Sequence, residues 1–269
     1  MNKELAPVPK IIQTNPAIGE RGLIHVFGGD PLKPSPYVVG IHGGGWGNGD
    51  QTSYSWLWPR ISALGFPLVL PSYRILPAFR FPCAYDDLVH LLAWLRENGT
   101  AHGLAPSGCL LLGGSAGGHL AMLLATRATK ENLPMPDIRG VVNYCGIMDM
   151  PAQCAFDMSR DSTMVRAFLD ATPESSPSVY REASPLCHIH DHVPPVWMAH
   201  GTADGTVPVD QSRNMARTLV KAGYDPIYLE ARGLGHTMIE IGPLGKALEP
   251  YKLLFEEDVL RFIERSLQE

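Results

Sequence analysis

Short runs of apolar residues alternate along the chain with longer segments in which apolar residues recur every three or four positions. The short runs predict buried β-strands, because a strand that is apolar on both faces must be covered on both faces. These runs are residues 37–41, 66–70, 109–112, 141–145, 196–199 and 227–229. The longer segments predict amphipathic helices. They are residues 85–98, 210–222 and about 251–267.

This alternation of strand and helix predicts a doubly wound α/β fold, with a mostly parallel sheet covered by helices on both faces. Right-handed crossovers then place the carboxyl ends of the strands along one edge, where ligands bind. The 269 residues suit a single domain, 1–269. Only residues 147–194 depart from the rhythm, with a helix-like piece among loops rich in Pro and Ser. That segment is either a partial lid over the site or an ordinary long crossover.

Composition narrows the class of protein. Apolar residues make up 45% and charged residues 18% of the chain, which excludes an intrinsically disordered protein. The net charge of −5 comes without a basic run, so we expect no nucleic-acid partner. No apolar run approaches the roughly 18 residues that span a bilayer, and the N-terminus lacks the apolar core of a signal peptide. The odd number of widely spaced cysteines, five, predicts free thiols in a cytoplasmic protein.

The strongest local motif is Gly113-Gly114-Ser115-Ala116-Gly117, a G-x-S-x-G sequence between a predicted strand and a predicted helix. In that context the serine lies on a sharp turn that lifts its oxygen above the sheet edge, and the glycines avoid a clash between strand and helix. We therefore predict Ser115 as a nucleophile. The alternative interpretation is a glycine-rich turn without chemistry.

A second motif, His42-Gly43-Gly44-Gly45-Trp46, directly follows the first predicted strand. Glycines at this position leave backbone N–H groups free to donate to a tetrahedral oxyanion, as in the HGGG loop of lipases and esterases. The predicted donors are Gly44 and Gly45, together with Ala116 of the serine motif. His42 is expected to orient the loop rather than to act as a base, and the alternative interpretation is a plain glycine turn.

Two further loops offer an acid and a base after later strands. Asp204 lies in the loop that follows residues 196–199, and His236 lies between glycines after residues 227–229. The chain order Ser, Asp, His is the one expected for this elbow architecture. We predict Asp204, rather than Asp210, as the acid, because Asp210 falls in the first turn of the next helix with a capping role. His200 is predicted to be a buried structural histidine at the strand end.

With these motifs the sequence resembles the α/β-hydrolases of the esterase/lipase superfamily. It resembles more narrowly the small HGGGW-type esterases, that is, the hormone-sensitive-lipase-like enzymes and the bifunctional xylan-feruloyl esterase group. The resemblance covers about residues 20–267. It also includes Tyr73-Arg74-Ile75-Leu76-Pro77, Phe81-Pro82, Asp86-Asp87, Ala183-Ser184-Pro185 and Pro194-Pro195. Only 41 residues precede His42, which leaves no room for the larger helical N-terminal cap and favours the smaller group.

The resemblance implies a serine carboxylesterase that needs no cofactor and acts on small-molecule esters; a homodimer is left open. An arylformamidase-type amidase with the same triad is the alternative, and a non-catalytic ligand receptor is disfavoured by the intact His236. Trp46, Met148 and Phe168 are candidates for the substrate pocket, although each also suits core packing. The histidines between His188 and His192 indicate a polar surface loop rather than a metal site.

Overall fold

The computed structural model describes residues 8–236 and 249–268, with side chains omitted for residues 249–255. Within that part of the chain, the strands are β1 (Lys10–Gln13), β2 (Leu23–Phe27), β3 (Ser35–Ile41), β4 (Leu68–Pro71), β5 (Leu104–Gly114), β6 (Ile138–Tyr144), β7 (Val196–Gly201) and β8 (Ile227–Ala231). The α-helices are α1 (Trp58–Ala63), α2 (Cys83–Asn98), α3 (Ala116–Leu123), α4 (Met150–Met158), α5 (Met164–Leu169), α6 (Pro177–Glu182), α7 (Asp210–Lys221) and α8 (Glu249–Gln268).

The strands form one sheet in the order β1-β2-β4-β3-β5-β6-β7-β8. From β4 to β8 every neighbouring pair is parallel, whereas β2 runs antiparallel to both β1 and β4. The predicted α/β fold with a mostly parallel sheet is therefore confirmed. The parallel strands end along one edge, and the loops after β3, β5, β7 and β8 all leave the sheet there.

Successive residues of the central strands pack on opposite faces of the sheet, as the pleat requires. Val39, Leu111 and Val141 join the core on one face, beneath α2 and α3. Val38 and Leu110 join the core on the other face, against α1 and α8. Both faces are thus covered, which explains why the central strands are apolar almost without a break.

The two ends of the sheet differ from the sequence prediction. The antiparallel strands β1 and β2 were not predicted, because β1 is four residues long and carries the exposed Ile11 on an outer edge. Residues 227–229 do form a strand, but β8 lies at the other edge and Ile227 is 36% exposed, so the prediction of a strand buried on both faces is wrong there. No helix in the described ranges is both long enough and apolar enough to cross a membrane.

Candidate active site

Ser115 lies on a tight turn between β5 and α3, with backbone angles φ 56° and ψ −125°. A positive φ is uncommon for a residue with a side chain, and such strained conformations cluster at functional sites. The two glycines of the motif make the turn possible. A Cβ on Gly113 would lie 2.4 Å from the carbonyl carbon of Gly117, and a Cβ on Gly117 would lie 2.1 Å from the carbonyl oxygen of Ile41. The end of β5, the start of α3 and the end of β3 therefore approach so closely that no side chain fits at Gly113 or Gly117.

The glycine loop after β3 packs directly against this turn. A Cβ on Gly43 would lie 2.8 Å from the carbonyl oxygen of Gly114 and 3.5 Å from Cβ of Ser115. Gly44 and Gly45 both adopt a positive φ, 102° and 59°. The loop closes through the carbonyl oxygen of Gly44, which accepts hydrogen bonds from the N–H groups of the third and fourth residues after it, at 3.0 Å each. The two motifs, which lie far apart in the sequence, thus form one surface beside Ser115.

His42 fixes the base of this loop. Its Nδ1 lies 2.8 Å from the carbonyl oxygen of Gly43, and its ring stacks on Tyr73 at 4.1 Å between centroids. The Tyr73 hydroxyl in turn donates to the carbonyl oxygen of His42 at 2.8 Å. Burial lowers the pKa of His42 to about 4, so the ring is neutral at physiological pH and Nδ1 donates to Gly43. The side chain holds the loop, as the sequence indicated.

Ser115, His236 and Asp204 lie in one hydrogen-bonded chain. The Ser115 Oγ is 2.9 Å from Nε2 of His236, and Nδ1 of His236 is 2.7 Å from Oδ2 of Asp204. An ionised carboxylate only accepts, so Nδ1 carries the ring proton and Nε2 accepts the serine hydroxyl. Residues 121 and 32 positions apart in sequence are joined because their strands end at the same edge of the sheet.

The charges of the pair stabilise each other. Burial alone would raise the pKa of Asp204, but hydrogen bonds from His200, His236 and the N–H groups of Val207 and Thr206 hold it well below its usual range. Burial alone would lower the pKa of His236, but the interactions of the ring with Asp204 and Cys145 together outweigh burial and raise that pKa. The carboxylate therefore stays ionised and favours a proton on the imidazole, which suits a base that takes a proton from Ser115.

Cys145 and His200 also contact this group, and the sequence did not single out either contact. The Cys145 thiol, which follows β6, donates to the backbone oxygen of His236 at 3.1 Å. Within the described ranges, Cys145, Asp204 and His236 are the one group of three metal-ligand types whose donor atoms lie within 4.8 Å of one another. Each of the three already has a hydrogen-bond partner, so hydrogen bonding accounts for their approach. His200 is buried at the end of β7, as predicted, but it contacts Asp204.

Asp210 is the first residue of α7, in the first turn as predicted, but it does not cap the helix. The N-cap position is Val209, and no side chain caps this end. The Asp210 side chain is 68% exposed and lies 3.2 Å from Arg213 in an ion pair. It therefore takes no part in the chain of hydrogen bonds at Ser115.

The three pocket candidates lie in the core in this structure. Trp46 and Met148 expose no surface, and Phe168 exposes 2%. Trp46 stacks on Phe168 with 4.0 Å between ring centroids and an angle of 6°, and its Nε1 donates to Nδ1 of His119 at 3.2 Å. A side chain without accessible surface does not line an open pocket, so the core-packing alternative describes these residues better. Met164, on the same helix as Phe168, instead reaches the glycine loop, since a Cβ on Gly45 would lie 3.2 Å from its sulfur.

The histidines of the 188–192 loop bind their own surroundings. His188 Nε2 lies 2.9 Å from the carbonyl oxygen of Glu182, and His190 Nε2 lies 3.0 Å from Oγ1 of Thr129. The backbone N–H of His192 donates to Nδ1 of His190 at 3.2 Å. This pattern is that of a hydrogen-bonded surface loop.

Comparison with known proteins identifies the family of the chain and supports its fold. Esterase LipC of Mycobacterium tuberculosis is 28% identical over 221 residues, which are 77% of this chain and 54% of that protein. The chain thus spans about half the length of the curated relatives it matches. A truncated carbohydrate esterase from gut microbiota superposes with a TM-score of 0.79 at 18% identity, over 96% of this chain and 95% of that one. The butyrate-bound esterase Est2 of Thermogutta terrifontis superposes with a TM-score of 0.75 at 20% identity, over 96% of this chain and 94% of that one.

At these identities the two solved structures support the α/β-hydrolase fold alone. The family comes from the sequence: the BD-FAE profile matches residues 30–219, which is most of the chain and includes the glycine loop, the Ser115 turn and Asp204. The chain therefore belongs to the BD-FAE family.

Proposed function

We propose that the chain is a serine carboxylesterase that hydrolyses small or medium carboxylic esters through an acyl-enzyme, with Ser115, His236 and Asp204 as its catalytic triad and no cofactor. The observation that carries this proposal is the hydrogen-bond chain from the Ser115 hydroxyl through both ring nitrogens of His236 to Asp204. The names of the relatives, which are esterases, support ester hydrolysis.

In the first step, Nε2 of His236 takes the hydroxyl proton as the Ser115 oxygen attacks the ester carbonyl. Asp204 stabilises the imidazolium that forms. The developing oxyanion accepts hydrogen bonds from the N–H groups of Gly44, Gly45 and Ala116. Ala116 suits this role because it is the first residue of α3, where a backbone N–H has no partner within the helix.

In the following steps, the imidazolium of His236 gives its Nε2 proton to the leaving alcohol, and the acyl group stays on Ser115. His236 then takes a proton from a water molecule that attacks the acyl-enzyme. Collapse of the second tetrahedral intermediate releases the carboxylic acid and returns the proton to the Ser115 oxygen. Every proton moves on Nε2, while Nδ1 remains bonded to Asp204.

The arylformamidase-type alternative uses the same triad, and no contact in the site favours it over ester hydrolysis. A panel of nitrophenyl esters, acetylated sugars, feruloyl esters and N-formyl-anilides separates the two. We expect turnover of the esters, and a kcat/KM for the formyl-anilide above all esters would favour the amidase. The cytoplasmic location and the single domain remain predictions. The oligomeric state, which the sequence leaves open, is measured by light scattering.

The test of the proposal is Ser115→Ala. The change removes one oxygen from a turn that alanine can occupy, so we expect a folded protein whose kcat for phenyl acetate falls on the order of 10⁴–10⁶-fold. A fluorophosphonate probe, which phosphonylates activated serines, should label the unchanged protein once and the variant not at all. The matched control is Ser175→Ala, an exposed serine whose hydroxyl bonds to Thr172 within the described part of the chain, and this variant should retain activity and labelling. Unchanged turnover by a folded Ser115→Ala would overturn the proposal.

A further inference from the structure

A second histidine binds the carboxylate that His236 uses. His200 lies on β7 with no exposed surface, and its Nε2 is 3.1 Å from Oδ2 of Asp204. The same nitrogen is 3.0 Å from the carbonyl oxygen of Val207. Asp204 therefore lies between two imidazoles, of which only His236 reaches Ser115.

The surroundings of His200 fix the position of its proton. A carboxylate and a carbonyl oxygen are both acceptors, so Nε2 of His200 must carry a hydrogen and donate. On the other side of the ring, Nδ1 is 2.8 Å from Oγ of Ser212, a buried residue of α7. A chain of hydrogen bonds thus joins Ser212, His200 and Asp204.

This bond completes the carboxylate of Asp204. Its Oδ1 accepts the N–H groups of Thr206 and Val207 at 2.8 and 2.9 Å. Its Oδ2 accepts from His236 at 2.7 Å and from His200 at 3.1 Å. A carboxylate has about four acceptor positions, and here all are used. Three of these four donors, on the loop and on β7, are not the base, so they set the plane of the carboxylate independently of His236.

We propose that His200 is a positioning residue of the triad, whose Nε2–H holds Oδ2 of Asp204 at the place where it receives Nδ1 of His236. The inference rests on the proposed function and extends it to a residue that touches neither substrate nor the reacting oxygen. Without this donor, Oδ2 has one lone pair unpaired in a buried place, and the carboxylate turns toward other partners. The imidazole then loses its alignment with Ser115, and misplacement of about 1 Å costs about 10²-fold in rate.

The decisive comparison is His200→Leu with His200→Gln. Leucine fills the space without a donor, whereas the glutamine amide can donate to Asp204 and accept from Ser212. We expect His200→Leu to lower kcat about 10²-fold with little change in KM, because the substrate contacts remain. His200→Gln should recover most of that loss. The structural control is Thr126→Val, which removes another buried hydrogen bond, to Met122, in the segment that follows α3.

A second readout does not depend on turnover. The Nδ1 proton of His236, shared with Asp204, should give a far-downfield proton resonance in the unchanged protein and in His200→Gln, and a weaker or shifted one in His200→Leu. Ser212→Ala keeps His200 but removes the hydroxyl that contacts its Nδ1. Its kcat and its proton resonance should therefore lie between those of His200→Gln and His200→Leu. This variant replaces His200→Leu in the test if His200→Leu does not fold. A kcat of His200→Leu equal to that of the unchanged protein, or equal losses in His200→Gln and His200→Leu, would overturn the inference. If no ester is hydrolysed by any form, the proposed function fails, and the proton resonance still decides the role of His200.

Discussion

At the scale of single residues, the choice between Asp204 and Asp210 is the sharpest test of the site. Asp204→Asn keeps the shape but donates where Nδ1 of His236 also donates. We expect kcat to fall about 10⁴-fold, as the same change does in a serine protease triad. Asp210→Asn removes an exposed ion pair with Arg213, so activity should be unchanged and stability should change by less than about 1 kcal/mol.

Steady-state kinetics and urea unfolding of both variants check this prediction. The two changes are matched in chemistry and lie six residues apart, so a general effect of losing one negative charge would appear in both. Loss of activity in Asp210→Asn, with an active Asp204→Asn, would contradict the assignment of the acid.

The pH dependence of kcat/KM follows from the raised pKa of His236. The base works only when neutral, so kcat/KM rises with pH through the pKa of His236. The Asp204 carboxylate raises that pKa, and Asp204→Asn should therefore move it to lower pH. Titration of the His236 ring by NMR in both proteins measures the shift. His42 and His119 cannot account for the rise, because burial lowers the pKa of each to about 4. A pKa that rises in Asp204→Asn would contradict the described pair.

At the scale of elements, the beginning of the 147–194 segment is hydrogen-bonded to α7. Gln211 of α7 is buried, and its Oε1 accepts the N–H groups of Met148 and Asp149 at 2.8 and 2.7 Å. Its Nε2 donates to the carbonyl oxygen of Asp149 at 3.0 Å. The hydroxyl of Ser184 accepts the N–H of Met150 at 2.9 Å. The beginning of the segment is thus bonded at successive backbone groups, which favours the crossover interpretation over a moving lid.

Gln211→Leu tests this attachment. The change leaves the N–H groups of Met148 and Asp149 without their partner, whereas the carbonyl oxygen of Asp149 keeps the N–H of Gln153. Each unpaired group costs about 1–3 kcal/mol, so we expect a loss of stability on the order of 3 kcal/mol in urea unfolding. In hydrogen exchange, the amides of Met148 and Asp149 should be protected in the unchanged protein and exchange faster in the variant. The control is Asn214→Ala on the exposed side of the same helix. Rapid exchange of both amides in the unchanged protein would favour a lid.

The elements that the sequence predicted well are those with one environment along their whole length. The apolar runs of β3, β5, β6 and β7 lie in the middle of the sheet, where helices cover both faces. The prediction failed at the edges of the sheet, because an edge strand such as β1 has one neighbouring strand and carries both polar and apolar residues. Its pairing with β2 depends on contacts between chain segments and leaves no periodic signal.

At the scale of the whole molecule, chain order and sheet topology together predicted Ser115, Asp204 and His236 as partners. Parallel strands end at a common edge, so loops after different strands meet even when they are far apart in sequence. The same reasoning could not find the bond between His200 and Asp204, since the direction of a side chain at a strand end depends on the loop that follows. It also could not tell pocket walls from core, because both use the same apolar residues.

The stack of Trp46 on Phe168 joins three parts of the molecule, since Trp46 follows the glycine loop, Phe168 belongs to α5, and His119 of α3 accepts the indole N–H. If this stack is core, Phe168→Ala should cost about 3–5 kcal/mol of stability. The ratio of kcat/KM for nitrophenyl hexanoate to that for nitrophenyl acetate should then stay the same.

If Phe168 instead limits the acyl pocket, the cavity would admit the longer chain and the ratio would rise while stability changes little. Urea unfolding and the two esters separate these outcomes, and Val220→Ala, an exposed apolar position on α7, controls for the loss of apolar surface as such. We expect the first outcome, because a ring that exposes 2% of its surface has protein, and not solvent, on every side.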